Sequence, residues 1–425
     1  SSIQDAVNAA NDGDTIIVCP GTYIENVYVD KSVEIRSYSK NPEDTVVKAS
    51  YPYNVVFYVT ADNVKISGFT VTGANYGIIL KSTNNCRIEN VKVSNNWYGI
   101  DLSSSSNNII TNNIVSNNNR YGIHLRNSSN NIITNNNFHL NGMFVYSSYN
   151  NTVANNTVNG KLLVYLENVS DYVVEDAGQV IAVNSNNVTV KNLDLSYTSV
   201  GIEFWNVSNS KIINNTVSNN RFGIDLLNSD SNIITNNIVN LNIDSGIYLC
   251  SSSNNIITSN TVLNNSYGIV TDSFSNNNTI TNNNISLNSW IGIWLVLSNN
   301  STITNNTVSL NYDGISFDES SNNIIANNIL IMNDYLGIGL YDASSNNTIV
   351  SNTVLNNYLG IGLHASSNDN IITNNSISLN SYGIDLCYSS NNIIYLNNFI
   401  DNTDQVCSWD STNIWNSTEK ITYVY

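Results

Sequence analysis

Gly99 to Leu125 reads GIDLSSSSNNIITNNIVSNNNRYGIHL. One unit starts at Gly99 and the next at Gly122. The same phrase recurs with glycines at 77, 99, 122 and 142, and again at 201, 223, 246, 268, 292, 314, 337, 360 and 383. Spacings of 20 to 24 residues within each run are the mark of a solenoid. Gly-Ile-x-Leu alternates, so Ile100 and Leu102 share one face and Asp101 points the other way. Ser103 to Asn108 is turn chemistry. Ile109 to Thr111 and Ile114 to Ser116 are two more short strands, separated by Asn112-Asn113. Each unit therefore reads as one coil of three short strands. Each strand pairs in parallel with its copy in the next coil, ~4.8 Å away. Inward Ile, Val and Leu stack on themselves. An Asn at the same turn of every coil lets side-chain amides bond along the stack. A leucine-rich repeat has a similar period but needs a longer helical or irregular half, and the Asn, Ser and Gly that fill these gaps are poor in helix interiors. The reading is an all-β, single-stranded, right-handed parallel β-helix.

Composition agrees. Charged residues make up 11% of the 425 residues, with three prolines, and polarity comes from Asn, Ser and Thr. About 18 coils predict a rod on the order of 85 Å long. The formal charge of −17 shows no basic stripe of the kind nucleic acid requires; it suits cations and keeps an edge-rich solenoid soluble. No run of 18 apolar residues is present, so no transmembrane segment is expected. The chain opens on Ser1-Ser2, without a signal-peptide core, and stops on Ile421 to Tyr425, which reads as a strand cut in mid-course; a longer native polypeptide is expected.

Taken in order, residues 1–50 hold a capping helix and the first coils. Ser2 to Asn11 is the good helix, with an apolar stripe of Ile3, Ala6, Val7 and Ala10 and Ser2 as its cap; it covers the open end of the solenoid. Residues 51–160 are regular coils. Residues 161–199 are irregular coils with an acidic loop, read as continuous with the stack. Residues 200–400 are regular again, and 401–425 lose the period and form a cover or link.

The opening IQDAVNAANDGDTIIVCPGTYIENVYVDKSVEIRS (residues 3–37) resembles the first coils of NosD-like and pectin-lyase-like β-helix proteins. The coils of the form NNIITNNTVSNNxYGIxL resemble the NosD-type repeats common in archaeal cell-surface proteins. The resemblance implies the scaffold. Its broad group includes polysaccharide lyases and hydrolases, carbohydrate-binding proteins, a copper-delivery accessory protein and surface-layer components, so function has to come from a site.

Outward residues can be stacked by their distance from the glycine. This lines up Asp101 with His124, followed shortly by Arg126, and Glu203 with Asp225, near Arg221. Stacked carboxylates and a basic residue are what a polysaccharide lyase or hydrolase uses, but a charge pair on a solvated face has the same signature. Glu167, Asp171, Glu175 and Asp176 are the acids that could hold Ca²⁺, without the spacing of a defined calcium loop; no other cofactor is expected. His124, His139, His364, Met143 and Met332 are too scattered for copper delivery. The five cysteines form no CxxC; Cys387 and Cys407 lie almost one coil apart and are the pair that could form a disulfide. Sequons suit N-glycosylation at Asn127, Asn155, Asn168, Asn187, Asn206, Asn264, Asn284, Asn346, Asn374 and Asn416. Tyr76, Tyr98, Tyr121, Phe222, Tyr267 and Tyr382 precede their glycines, with Trp205, Trp290 and Trp294 nearby; such rings stack on sugars, on another rod or on one another. The expectation is an extracellular, non-enzymatic structural protein of a cell surface layer, sheath or filament, self-associating and glycosylated, with the segment Asp401 to Tyr425 in the contact. The alternative is a polysaccharide-binding or polysaccharide-cleaving protein.

Overall fold

The computed structural model describes residues 2–417; the strand expected at Ile421 to Tyr425 lies outside them. The fold is the expected right-handed parallel β-solenoid. Helix α1, Ile3–Ala9, is capped by Ser2, whose hydroxyl accepts from the Asp5 N–H, and it buries Ile3 and Val7. It packs near the strands Thr15–Val18 and Val27–Val29.

The chain divides into two compact units. The first comprises Ser1–Val169, Val174–Ser185 and Asp194–Trp205; the second comprises Ser170–Val173, Asn186–Leu193 and Asn206–Tyr425. In the first, parallel pairing already begins at Thr15–Val18 with Glu34–Ser37, well before the regular repeat is legible. Each coil contributes one strand to each of three sheets. Along the sheet that carries the glycines, Ile78, Ile100, Ile123 and Met143 pair in register, and all four are fully buried. In the second unit the corresponding column runs Ile224, Ile247, Ile269, Ile293, Ile315, Ile338, Ile361 and Ile384, again fully buried. Burying such a side chain is worth roughly 1.5–3 kcal/mol each.

The paired asparagines divide two tasks. In Asn236-Asn237, Asn236 takes the left-handed conformation at φ 56°, which Asn tolerates, and stands exposed. Asn237 turns inward and is 1% exposed. Its Oδ1 accepts from the N–H and the Nδ2 of Asn215 at 2.9 and 3.0 Å. Its Nδ2 donates to the carbonyls of Ile212 and Thr235 at 2.9 and 3.1 Å and to Oδ1 of Asn260 at 3.0 Å. Repeated coil after coil, this ladder runs from Asn215 through Asn260, Asn283, Asn306, Asn328 and Asn352 to Asn375. A second ladder runs from Asn242 to Asn402. The recurrent glycine has its own reason. A Cβ at Gly268 would lie 2.3 Å from the carbonyl oxygen of Gly292 and 2.8 Å from Ile285, so only hydrogen fits that approach.

Asn159-Gly160 departs from parallel stacking. Both residues have positive φ, 50° and 85°, which is hairpin-turn chemistry, and Thr157–Val158 pairs antiparallel with Lys161–Leu162 there.

Replacing Asn237 by Ala removes a buried acceptor and donor together and is expected to cost about 1–3 kcal/mol. Asn236→Gly keeps the left-handed turn and is expected to stay within about 0.5 kcal/mol. Thermal unfolding followed by circular dichroism compares the two.

Candidate functional site

The glycine-bearing sheet of the first unit brings Asp101 and His124 together. They pair in register on adjacent strands, and His124 Nδ1 lies 2.7 Å from Asp101 Oδ1. Asp101 is 1% exposed and His124 9%. Arg126 Nη2 stands 3.9 Å from the other Asp101 oxygen and donates to Ser103 Oγ at 3.2 Å. Rings cover the pair: Tyr98 stacks on the imidazole at 5.9 Å, and Tyr121 stacks on Phe144 at 4.4 Å. Arg120 donates to the Tyr98 hydroxyl at 2.7 Å and lies over the Tyr98 and Tyr121 rings. A carboxylate holding one imidazole nitrogen orients the ring and leaves Nε2 for a proton.

Glu203, Asp225 and Arg221, expected as one group, belong to different units. Glu203 belongs to the first unit, fully buried, and its carboxylate accepts from the Val145 N–H at 2.9 and 3.2 Å. Val145 lies in the last strand of its sheet, Met143–Tyr146, whose backbone would otherwise be buried without partners. Gln179 serves the same strand, accepting from the Met143 N–H and donating to its carbonyl at 3.0 and 2.7 Å. Asp225 lies in the second unit. Arg221 pairs with Asp244 at 3.2 Å, which stands in the next coil at the matching pre-glycine position. Burial, and secondarily the Asp244 charge, push the Asp225 carboxyl up to about 8, so it is protonated at neutral pH.

The acids of the loop belong to both units. Glu167 accepts from the N–H groups of Asn150 and Asn151, the latter at 3.1 Å, and from the Tyr165 hydroxyl at 2.9 Å. Asp171 falls in the other unit, where Asn187 donates to it at 2.5 Å. Glu175 and Asp176 return to the first unit. Among the described residues no three His, Cys, Asp or Glu side chains gather to hold a metal ion.

The Cys387–Cys407 pairing is also corrected: all five cysteines are free thiols. Register sets Cys407 beside Asp385 and Cys387 beside Trp409. The two thiols are thus diagonal, with Cα atoms about 8 Å apart, beyond disulfide reach. The same register carries a His–Asp contact that was not foreseen, His364 Nε2 to Asp385 Oδ2 at 3.0 Å, which holds the Asp385 carboxyl below its ordinary range. Its legible signal was the glycine offset: His364 is four places and Asp385 two places after its glycine, one coil apart.

All ten sequon asparagines are exposed; for Asn416, Thr418 lies outside the described residues. Where the sequon is Asn-Asn-Ser/Thr, the second Asn is the buried ladder residue and the first faces outward, as at Asn155 and Asn264. The aromatic residues stack mainly on one another. Tyr76 and Tyr98 are stacked with centroids 4.5 Å apart and nearly parallel at 5°. Tyr312, Tyr335 and Tyr358 follow at 5.7 Å per step, so their faces meet neighbouring rings and their edges meet solvent.

A family model described as the periplasmic copper-binding protein NosD matches residues 7–167, 163–300 and 291–425. The cell surface glycoprotein of Methanothermus fervidus is 32% identical over 267 residues, 58% of this chain and 39% of that protein's own length. Among solved structures, a double mutant of the periplasmic alginate epimerase AlgG is similar at 16% identity, with 94% of this chain and 83% of that one covered and a TM-score of 0.43. The A-module of an Azotobacter vinelandii mannuronan C-5 epimerase is similar at 14% identity, with 97% and 94% covered and a TM-score of 0.31. The residues present do not fit a copper centre: His124 is held by Asp101, Met143 is fully buried, and His139 and Met332 stand exposed.

Because Asp225 holds its proton in the folded state up to about pH 8 while the unfolded chain loses it near pH 4, stability is expected to fall as pH rises through that window and to level off above it. Asp225→Asn removes this slope. Melting temperatures of the two proteins between pH 5 and 9 provide the comparison.

Proposed function

The chain belongs to the NosD family, and from that membership we propose that it is an extracellular structural protein of a cell surface, a glycosylated β-helix that associates with itself into a layer or filament. One observation carries the reading. Buried polar groups are spent on the scaffold itself: the Asn ladders satisfy one another, and carboxylates that might have served chemistry hold strand ends, Glu203 at Val145 and Glu167 at Asn151. The name of the Methanothermus fervidus relative, a cell surface glycoprotein, supports the same location. Outward sequons supply glycan attachment points without disturbing the ladder.

A second reading has one observation in its favour. The Asp101–His124 pair, with Arg120 and Arg126 beside it, is an arrangement that a polysaccharide-cleaving protein could use to move a proton next to a sugar carboxylate. It requires release of unsaturated or reducing ends from a uronate-rich polymer, lost on His124→Ala.

For the structural reading, immunogold labelling of intact cells is expected to decorate the outer surface. Peptide mapping of the native protein is expected to find glycan on exposed sequons such as Asn155, Asn264 and Asn346. Label confined to the cell interior, or unmodified peptides throughout, would be evidence against it.

A further inference from the structure

The cations of this chain are concentrated in its first unit, where they stand beside sixteen Asp and Glu. Eleven of its fifteen Lys and Arg residues stand at or before Lys161. From Asn206 to Ser417 the basic residues are Lys211 and Arg221 alone, against fourteen Asp and Glu. The sorting reaches down to single columns of the repeat. At the position four residues after the glycine, three successive coils of the first unit carry Lys81, Ser103 and Arg126, paired in register. Lys81 donates to Ser103 at 3.0 Å and Arg126 to the same hydroxyl at 3.2 Å, so two cations flank one small polar residue. At the same position, three successive coils of the second unit carry Asp272, Val296 and Asp318. Asp318 pairs in register across from Val296. Asp272 accepts from the Tyr248 hydroxyl at 2.9 Å and Asp318 from the Trp294 indole at 2.6 Å. Glu319 and Asp342 stand exposed close to Asp318.

We propose that the Lys81–Arg126 corner of one copy docks on the Asp272–Asp318 corner of a second copy. This rests on the self-association in the reading above and names its contact. In both corners the charged residues stand two coils apart along the stack, roughly 10 Å, with a neutral residue between, while the Lys81 and Arg126 heads both lean onto Ser103 Oγ. A second copy laid alongside takes one cation to each carboxylate once both heads swing off Ser103 Oγ. The two corners are different surfaces, so the contact is heterologous: the pair keeps one unused corner of each sign, and further copies can add. The neighbourhood favours the contact. Burial, and secondarily the neighbouring Asp342 and Glu319, hold the Asp318 carboxyl above its ordinary range, and an incoming cation offsets the charge of those neighbours. Arg126 keeps 46% of its side-chain surface exposed, and Tyr146 beside it is 43% exposed.

Sedimentation velocity of the full chain tests this. Wild type is expected to associate at low salt and to weaken at least about tenfold as salt screens the contact. K81E/R126E and D272K/D318K are each expected to stay monomeric. An equimolar mixture of the two variants is expected to associate again, because each then offers the charge the other lacks; a variant that merely misfolds would not be rescued. Association unchanged in both variants would overturn this docking and leave self-assembly standing. Monomeric wild type at every salt concentration would overturn both. Polygalacturonate bound through Lys81 and Arg126, with no association of copies, would give the corner a different occupant and overturn the proposal.

Discussion

A buried primary amide has to satisfy two N–H donors and one oxygen where water does not reach. In this protein that constraint is met by repetition. Each ladder Asn accepts from the coil before it and donates to the coil after it, with backbone carbonyls taking what remains. Such an arrangement works only if the next coil places the same residue at the same height, so the ladder enforces register. A one-residue slip would leave several buried polar atoms unpaired at every corner at once, each costing about 1–3 kcal/mol. The glycine column and the inward aliphatic columns follow from the same alignment, because the coils are already held one above another.

Once register is set, the outward columns are where the sequence is free to differ. Their neighbours are decided by the stack rather than by proximity in the chain. Asp101 meets His124 across 23 residues, and His364 meets Asp385 across 21. Rings from successive coils fall into stacks whose faces are mutually covered. A column therefore acts as a ruler with a fixed step, and side-chain chemistry can be written on it at multiples of that step.

Where a sheet stops, the ruler stops too, and polar side chains do the work the next strand would have done. Glu203 and Gln179 bond the backbone of Met143–Tyr146, and Glu167 does the same for Asn150 and Asn151. These residues look like candidates for chemistry in a list of acidic positions. Their burial and partners make them structural, and this separates the present chain from what the copper-binding description of its family would lead one to seek in its His and Met residues.

The repeat made much of this legible in advance. The coil, its three strands, the inward Ile and Val, the Asn turn and the Asp101–His124 contact all follow from counting residues after each glycine, because period converts directly into position when coils stack in parallel; the Ser2-capped helix follows from its own apolar stripe. Counting failed where an approach depends on more than offset. Cys387 and Cys407 are nearly one period apart, yet two residues of lateral shift put their sulfurs on a diagonal. Arg221, expected near Glu203 and Asp225, also pairs with Asp244 in the next coil, since a long side chain reaches several acids. The hairpin at Asn159-Gly160 and the split of the acidic loop between two units occur where the period lapses. There, only tertiary packing decides which polar group meets which unpaired strand edge.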